Sequence, residues 1–179
     1  MKGFWNFLHH KDTRIFIYFN QRLRCRFLDF VMPRITHLGG ATFTTLLCLL
    51  MYAFGQRETK LAATEAFITI TGSQGIVQLF KKIIYRKRPY MVLPEVKTFW
   101  RKLLKDYSFP SGHTTAGFSL AVILSIYFPS YSYVIYSLAA MVGLSRIYTG
   151  MHYPSDVLSG AFLGTTFAFL THAIRRILV

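Results

Sequence analysis

Acidic side chains are scarce in this sequence: 7 Asp and Glu stand against 21 Lys and Arg in 179 residues, a net charge of +14. A chain so short of carboxylates leaves most of its cations to face an anionic surface or ligand. Cysteine is nearly absent too. Cys25 and Cys48 fit no metal-ligand or disulfide spacing, which leaves out a zinc module and a disulfide scaffold. Cys48 lies in an apolar stretch and reads as a small buried hydrophobe. The opening "MKGFWNFLHHKDTR" has neither the apolar core nor the cleavage site of a signal peptide. No internal repeat and no low-complexity linker divides the chain, so residues 1–179 read as a single domain.

What is present is apolar and strongly basic at once: 53% hydrophobic, with a mean hydropathy of +0.35. The two properties are compatible because they are segregated. Apolar spans fall at about 35–54, 61–80, 114–129, 132–149 and 156–177, with the cations between them. A soluble nucleic-acid binder would intersperse the two, so no nucleic-acid partner is expected. Basic loops around apolar spans suit a chain embedded in a lipid bilayer and facing phosphates. The expected fold is all-α, a polytopic membrane helix bundle of about five transmembrane helices over 34–179, with no sign of a barrel. The third and fourth spans are short against the ~20 residues a crossing helix needs.

Residues 1–33 read differently. In "DTRIFIYFNQRLRCRFLDFV", 12–31, Ile15, Phe19, Leu23, Phe27 and Phe30 make a near-helical stripe, while Arg22, Arg24 and Arg26 forbid a crossing. The pattern predicts an interfacial amphipathic helix with Asp12 or Thr13 near its start. Five crossings would then gather the N-terminal segment and the loops 81–111 and 147–155 on one side.

That side holds three clusters: "KKIIYRKRP" (81–89), "PSGH" (110–113) and "SRIYTGMHYPSD" (145–156). None contains a carboxylate-rich metal cage or a Walker-type glycine loop. Lys81, Arg88 and Arg146 supply cations with many donors, suited to a phosphate. Ser111, Gly112 and His113 lie at a helix N-terminus, where free N–H groups and the dipole favour an anion. His152 and Asp156 are four apart, so on a helical turn the carboxylate can hold the imidazole in one tautomer. Two histidines beside one phosphate allow one to attack phosphorus and the other to protonate the leaving oxygen.

Lys81-x6-Arg88-Pro89, Pro110-Ser111-Gly112-His113 and Ser145-Arg146-x5-His152-x3-Asp156 together resemble the three-part signature of the type-2 phosphatidic acid phosphatases. These are integral-membrane lipid phosphate phosphatases related to vanadium-dependent haloperoxidases. The resemblance implies His152 as the nucleophile forming a phosphohistidine, Asp156 as its orienting partner and His113 as the general acid. It implies Lys81, Arg88 and Arg146 as phosphate ligands, with the backbone around Ser111 and Gly112 completing the cradle. No metal and no cofactor is implied, because the cations supply the charge that a metal ion would. By resemblance to small bacterial members, the expected substrates are undecaprenyl diphosphate or phosphatidylglycerol phosphate, with phosphatidic acid behind them. The family more commonly has six crossings; here the segment before residue 34 stands in place of the first.

Other residues carry duller expectations. Lys82, Arg86 and Lys87 read as solvated or headgroup contacts, and His9, His10, His37 and His172 as incidental. Gln74 and Gln78 form a polar stripe leading to Lys81, for interhelical bonding or support of the site. Glu65, at the far end of its helix, reads as interfacial. A haloperoxidase would need vanadate, and its relatives are soluble. A serine hydrolase on Ser111 lacks a third residue to orient His113. The main alternative, a non-catalytic lipid-headgroup binder or flippase, needs the cations but not His113, His152 and Asp156.

The expected localisation is a multi-pass cell-membrane protein, with two arguments on the side its site faces. On the motif side stand 17 of the 21 Lys and Arg, which by the positive-inside rule points to the cytoplasm. The bacterial members it resembles point outward, and headgroup binding accounts for many of these charges. The expectation is therefore an extracytoplasmic site.

Overall fold

The computed structural model describes residues 2–100, 103 and 105–178, residues 2–9 as backbone alone. Among the described residues every regular element is helical, as expected. α1 (Lys2–Ile17) runs into a π-helical turn at Tyr18–Arg22, then α2 (Arg26–Ile35), a 3-10 turn at Thr36–Gly39 and α3 (Ala41–Phe54). α4 (Arg57–Ile84), the short α5 (Pro89–Val92), α6 (Gly112–Tyr127), α7 (Ser132–Tyr148) and α8 (Pro154–Leu178) follow.

The long helices begin and end where their charges suit the helix dipole. α4 has Glu58 in its first turn and Lys81 and Lys82 in its last. α8 opens on Pro154 with Asp156 in the first turn and closes with Arg175 and Arg176. Tyr85 ends α4 in the left-handed region, at φ 50°, a conformation costing ~1–2 kcal/mol for a residue with a Cβ. The turn carries the chain back toward the bundle, where Arg86 and Arg88 both find partners.

α6 is buried along most of its length and packs against α4, α7 and α8. Its approach to α8 depends on two glycines one turn apart. A Cβ at Gly160 would stand 2.6 Å from the Ser111 carbonyl oxygen, and one at Gly164 would collide with the carbonyl of Thr115. Small residues four apart let two helix backbones come together. Ser119 on α6 adds hydrogen bonds to both neighbours, to Ser73 of α4 at 3.2 Å and to the Gly164 carbonyl of α8 at 3.4 Å.

Among the described residues, α8 alone is long and apolar enough to cross a membrane by itself. Arg26–Gly39 with Ala41–Phe54, bent by 57°, meets the same measure as a pair. The span expected over 35–54 is therefore broken at Gly39–Gly40 rather than straight. α6 and α7, at 16 and 17 residues, are as short as their sequence indicated.

The amphipathic helix expected over 12–31 is not continuous either. Asn20 is fully buried, its amide donating to the carbonyls of Lys97 (2.9 Å) and Tyr148 (2.8 Å) and its oxygen accepting from Lys97 N–H (3.0 Å). Turning Asn20 inward requires the π-helical turn, and α2 starts afresh after Cys25. Asp12 is not a helix cap; it lies within α1 and is 5% exposed.

Glu65 departs from its interfacial reading as well. It is buried, accepts a hydrogen bond from Tyr127 Oη at 2.7 Å and pairs with His172 Nδ1 (2.8 Å) and Arg175 Nε (2.9 Å). One carboxylate thus ties α4, α6 and α8 together at the end opposite Lys81, and His172 is part of the tie. His9 lies outside the described side chains.

Because α6 and α8 meet backbone to backbone at Gly164, Gly164→Val must force them apart. It should destabilise the protein by ~1–3 kcal/mol, read as a lower thermal midpoint in detergent, whereas Gly75→Ala, with open space around its Cβ position, should leave the midpoint nearly unchanged.

Candidate active site

The three clusters meet in space. Lys81 from the end of α4, Arg88 before α5, Gly112 and His113 from the start of α6, Arg146 from the last turn of α7 and His152 before α8 line one cavity of about 420 Å³. The rest of its lining is uncharged and mixed, with Thr44 and Thr45 of α3 and Thr71, Gln74 and Gln78 of α4 beside the apolar Ile70, Val77 and Ala116. Gln74 also donates to the Gly112 carbonyl at 2.9 Å, bracing the first turn of α6. Gly39 lets the 3-10 turn approach that same turn, since a Cβ there would meet the His113 carbonyl oxygen at 2.5 Å.

Arg88 is buried, with hydrogen bonds from Nε and both Nη atoms. Nη1 reaches the Met151 carbonyl at 3.0 Å and His152 Nε2 at 3.1 Å. A guanidinium can only donate, so Nε2 accepts and the neutral imidazole carries its proton on Nδ1. Asp156 Oδ2 stands 3.6 Å from that Nδ1 and accepts the Tyr153 N–H at 2.9 Å. The basic nitrogen of His152 therefore points at the cations and the protonated one at the carboxylate. Burial, and then the charges of Arg88, Arg146 and Lys81, hold the His152 pKa well below the usual imidazole value, although the Ser108 backbone pulls the other way. Both the hydrogen bond from Arg88 and the burial favour the neutral imidazole of His152.

Arg146 is buried in the last turn of α7, where Nη1 donates to Thr36 Oγ1 at 2.8 Å and its guanidinium lies 5.8 Å from the Trp100 ring centroid. Ser111 does not line the cavity. Its N–H is taken by the Asp156 carbonyl at 3.0 Å, so it joins the α6 and α8 starts and Gly112 is the backbone nearest the cavity.

Two participants escaped the sequence reading. Asp106 places Oδ2 2.5 Å from Lys81 Nζ and Oδ1 2.7 Å from Arg88 Nη2, inside the cavity. Burial pushes its pKa up, but the Lys81 hydrogen bond and the Arg88 charge outweigh this and hold it below the usual carboxylate value. The available signal was its rarity, since 81–111 contains only Glu95 and Asp106 as acids. Arg86, expected as a headgroup contact, instead bridges Asp12 (2.5 Å) and Asp156 (2.6 Å). Nothing in local sequence marks a partner 74 residues away. Lys82 and Lys87 are exposed, as expected.

A cluster of buried cations, two histidines and a helix start in a helical bundle defines an oxyanion-handling membrane protein, and the family follows. The PAP2 superfamily matches residues 62–178, and the chain belongs to that superfamily. Phosphatidylglycerophosphatase B of Bacillus subtilis is 32% identical over 83% of this chain and 75% of its own length. Undecaprenyl-diphosphatase BcrC of Bacillus subtilis is 28% identical over 80% and 72%. The bacitracin transport permease protein BcrC of Bacillus licheniformis is 32% identical over 60% of this chain, which spans about half (52%) of that relative. The crystal structure of a transmembrane PAP2-type phosphatidylglycerolphosphate phosphatase from Bacillus subtilis superposes with a TM-score of 0.80 at 26% identity, covering 97% of this chain and 89% of that one.

A carboxylate lodged between Lys81 and Arg88 competes with any oxyanion for the same donors. Asp106→Asn should therefore bind inorganic phosphate several-fold more tightly in calorimetric titration; weaker binding would mean that Asp106 organises the cations instead.

Proposed function

We propose that this protein is a membrane lipid phosphatase that hydrolyses a phosphoester or phosphoanhydride through a phosphohistidine. The observation that carries the reading is the 3.1 Å approach of Arg88 Nη1 to His152 Nε2. It leaves the imidazole lone pair facing the place where three cations would gather a phosphate.

Lys81, Arg88 and Arg146 hold the phosphate oxygens, with the start of α6 at Gly112 adding the positive end of its dipole. His152 Nε2 attacks phosphorus, forming an N–P bond as the P–O bond to the leaving group breaks. His113, protonated as the anionic phosphate binds and offsets the surrounding cations, gives that proton to the departing oxygen. Asp156 stabilises the positive charge that develops on His152. Water then loses a proton to His113 and attacks phosphorus, the N–P bond breaks, and inorganic phosphate leaves. Asp106 yields its donors to the substrate.

Thr45, Thr71, Gln74 and Gln78, interspersed with Ile70, Val77 and Ala116, are the uncharged groups available to the part of the substrate beyond the scissile phosphate. Uncharged amides and hydroxyls complement a glycerol hydroxyl better than a second phosphate. This ranks phosphatidylglycerol phosphate ahead of undecaprenyl diphosphate, with phosphatidic acid third. Hydrolysis of the three lipids by the purified protein tests the ranking; a preference for soluble sugar phosphates over all three would overturn the lipid reading.

The chemistry has its own test. Excess EDTA should leave the rate nearly intact and orthovanadate should inhibit. His152→Ala should abolish turnover of every substrate, whereas His113→Ala should retain hydrolysis of p-nitrophenyl phosphate, whose leaving group needs no proton. If both variants are equally inactive on that ester and on a lipid, the assigned roles fail. A His152→Ala protein that keeps its biological activity would favour a headgroup binder or flippase.

We propose an extracytoplasmic site, on the resemblance to bacterial members whose site faces outward and against the positive-inside count. Lys97 is exposed on the loop between α5 and α6, Cys25 is exposed and Cys48 buried. In a protein freed of both cysteines, Lys97→Cys should react with an impermeant thiol reagent on intact cells; labelling only after permeabilisation would put the site inside.

A further inference from the structure

Asp12 is out of place in a helix that only anchors a chain to a membrane surface. Such a helix would turn its carboxylate to water, yet Asp12 is 5% exposed. Oδ1 accepts from the Ser155 N–H at 2.9 Å, and Oδ2 accepts from Ser155 Oγ and Arg86 Nη2, both at 2.5 Å. One turn on, Phe16 is fully buried against Tyr153, ring centroids 5.7 Å apart, so α1 is seated by an apolar contact that fixes where Asp12 stands.

Arg86 continues the chain of contacts. Nη1 donates to Asp156 Oδ1 and to Ser155 Oγ, each at 2.6 Å, and the guanidinium lies over the Tyr153 ring at 4.1 Å. Asp156 is fully buried. With Oδ1 held by Arg86 and Oδ2 by the Tyr153 N–H, its carboxylate plane is fixed, and Oδ2 is the atom that faces His152 Nδ1. Neither Asp12 nor Arg86 lines the cavity.

We propose that Arg86, clamped by Asp12 of the N-terminal helix, is a positioning residue that fixes the Asp156 carboxylate against His152. The N-terminal segment is thereby a working part of the site. This rests on the proposed function, in which neutral His152 is the nucleophile. The clamp acts in two separable ways: the fork of Arg86 sets geometry, and the Asp12–Arg86 pair sets how much of the Asp156 charge His152 feels. The other groups facing His152 stay in place whichever member of the clamp is changed: Arg88 at Nε2, Lys81, Arg146 and His113 across the cavity, and the Ser108 backbone.

The test is the pH–rate profile of the purified full-length protein on p-nitrophenyl phosphate. Arg86→Gln removes a cation beside Asp156, so protonation of His152 becomes easier and the acid limb of kcat/KM moves to higher pH. Asp12→Asn removes an anion, so the limb moves to lower pH. Arg86→Lys keeps the charge and loses the fork, so the limb stays while kcat falls. For both Arg86 variants kcat should drop on the order of 10²-fold, as for a misplaced reacting group, with KM changed little because the phosphate ligands are untouched. Limbs that stay put in both charge-removing variants, or that shift the same way, overturn the proposal. So does a loss of kcat no larger than the loss of folded protein. If Arg86→Gln does not fold, Asp12→Asn decides alone: a limb at lower pH supports the clamp and an unmoved limb overturns it. A wild-type protein inactive on this ester and on lipid phosphates would instead overturn the proposed function.

Discussion

Gathering Lys81, Arg88 and Arg146 around one cavity inside a helical bundle sets the terms for everything near it. Two like charges 4 Å apart repel by about 4 kcal/mol at an effective dielectric of 20. The fold answers with its few acids. Asp106 lies between Lys81 and Arg88, Asp12 and Asp156 share Arg86, and Asp29 takes both Arg24 and the Tyr148 hydroxyl. Arg146 has no carboxylate partner among the described residues and leans on the Thr36 hydroxyl. Four of the 7 acidic residues, Asp12, Asp29, Asp106 and Asp156, are thus paired with cations on the site side. Within the cluster that could bind a phosphate, one carboxylate, Asp106, occupies donors of both Lys81 and Arg88.

The N-terminal segment serves the same end. Asp12, Asn20, Asp29 and Thr36 are spread over α1, the π-helical turn, α2 and the 3-10 turn, and each bonds a residue of the 145–156 cluster. The exposed Phe27 and Phe30 remain on the outside, where lipid contact suits them. The segment's Asp12, Asn20 and Thr36 are turned to the protein together with Phe16, while Arg14, Arg22 and Arg26 stay exposed.

Legibility followed the range of the interactions. The helices at 61–80, 114–129, 132–149 and 156–177 were readable because apolar length is a local property. The convergence of Lys81, Arg88, His113, Arg146 and His152 was readable because their clusters lie at helix ends on one side. Arg86 and Asp106 were not, since a charged side chain looks the same whether it meets water or a carboxylate far along the chain. The break at Asn20 was hidden for the same reason: its cause is the Tyr148 and Lys97 carbonyls. Gly160-x3-Gly164 was in plain view as a packing signature and passed unread. Glu65 was misplaced because three partners on two other helices, invisible in sequence, make its burial affordable.

The contact of α6 with α8 has a mechanical consequence. Ser111 is bonded to the Asp156 carbonyl, and Gly160 and Gly164 seat α8 directly on the α6 backbone. His113 and Asp156 therefore travel as one rigid body, which cannot widen without dismantling the helix pair. On the opposite bank α3 starts beyond the bend at Gly39–Gly40 and lines the cavity with α4 through uncharged side chains. Among the described residues, α3 and α4 have no such backbone contact at a glycine pair between them. Divergence in substrate size is then free to accumulate on α3 and α4 while the reacting geometry is inherited unchanged.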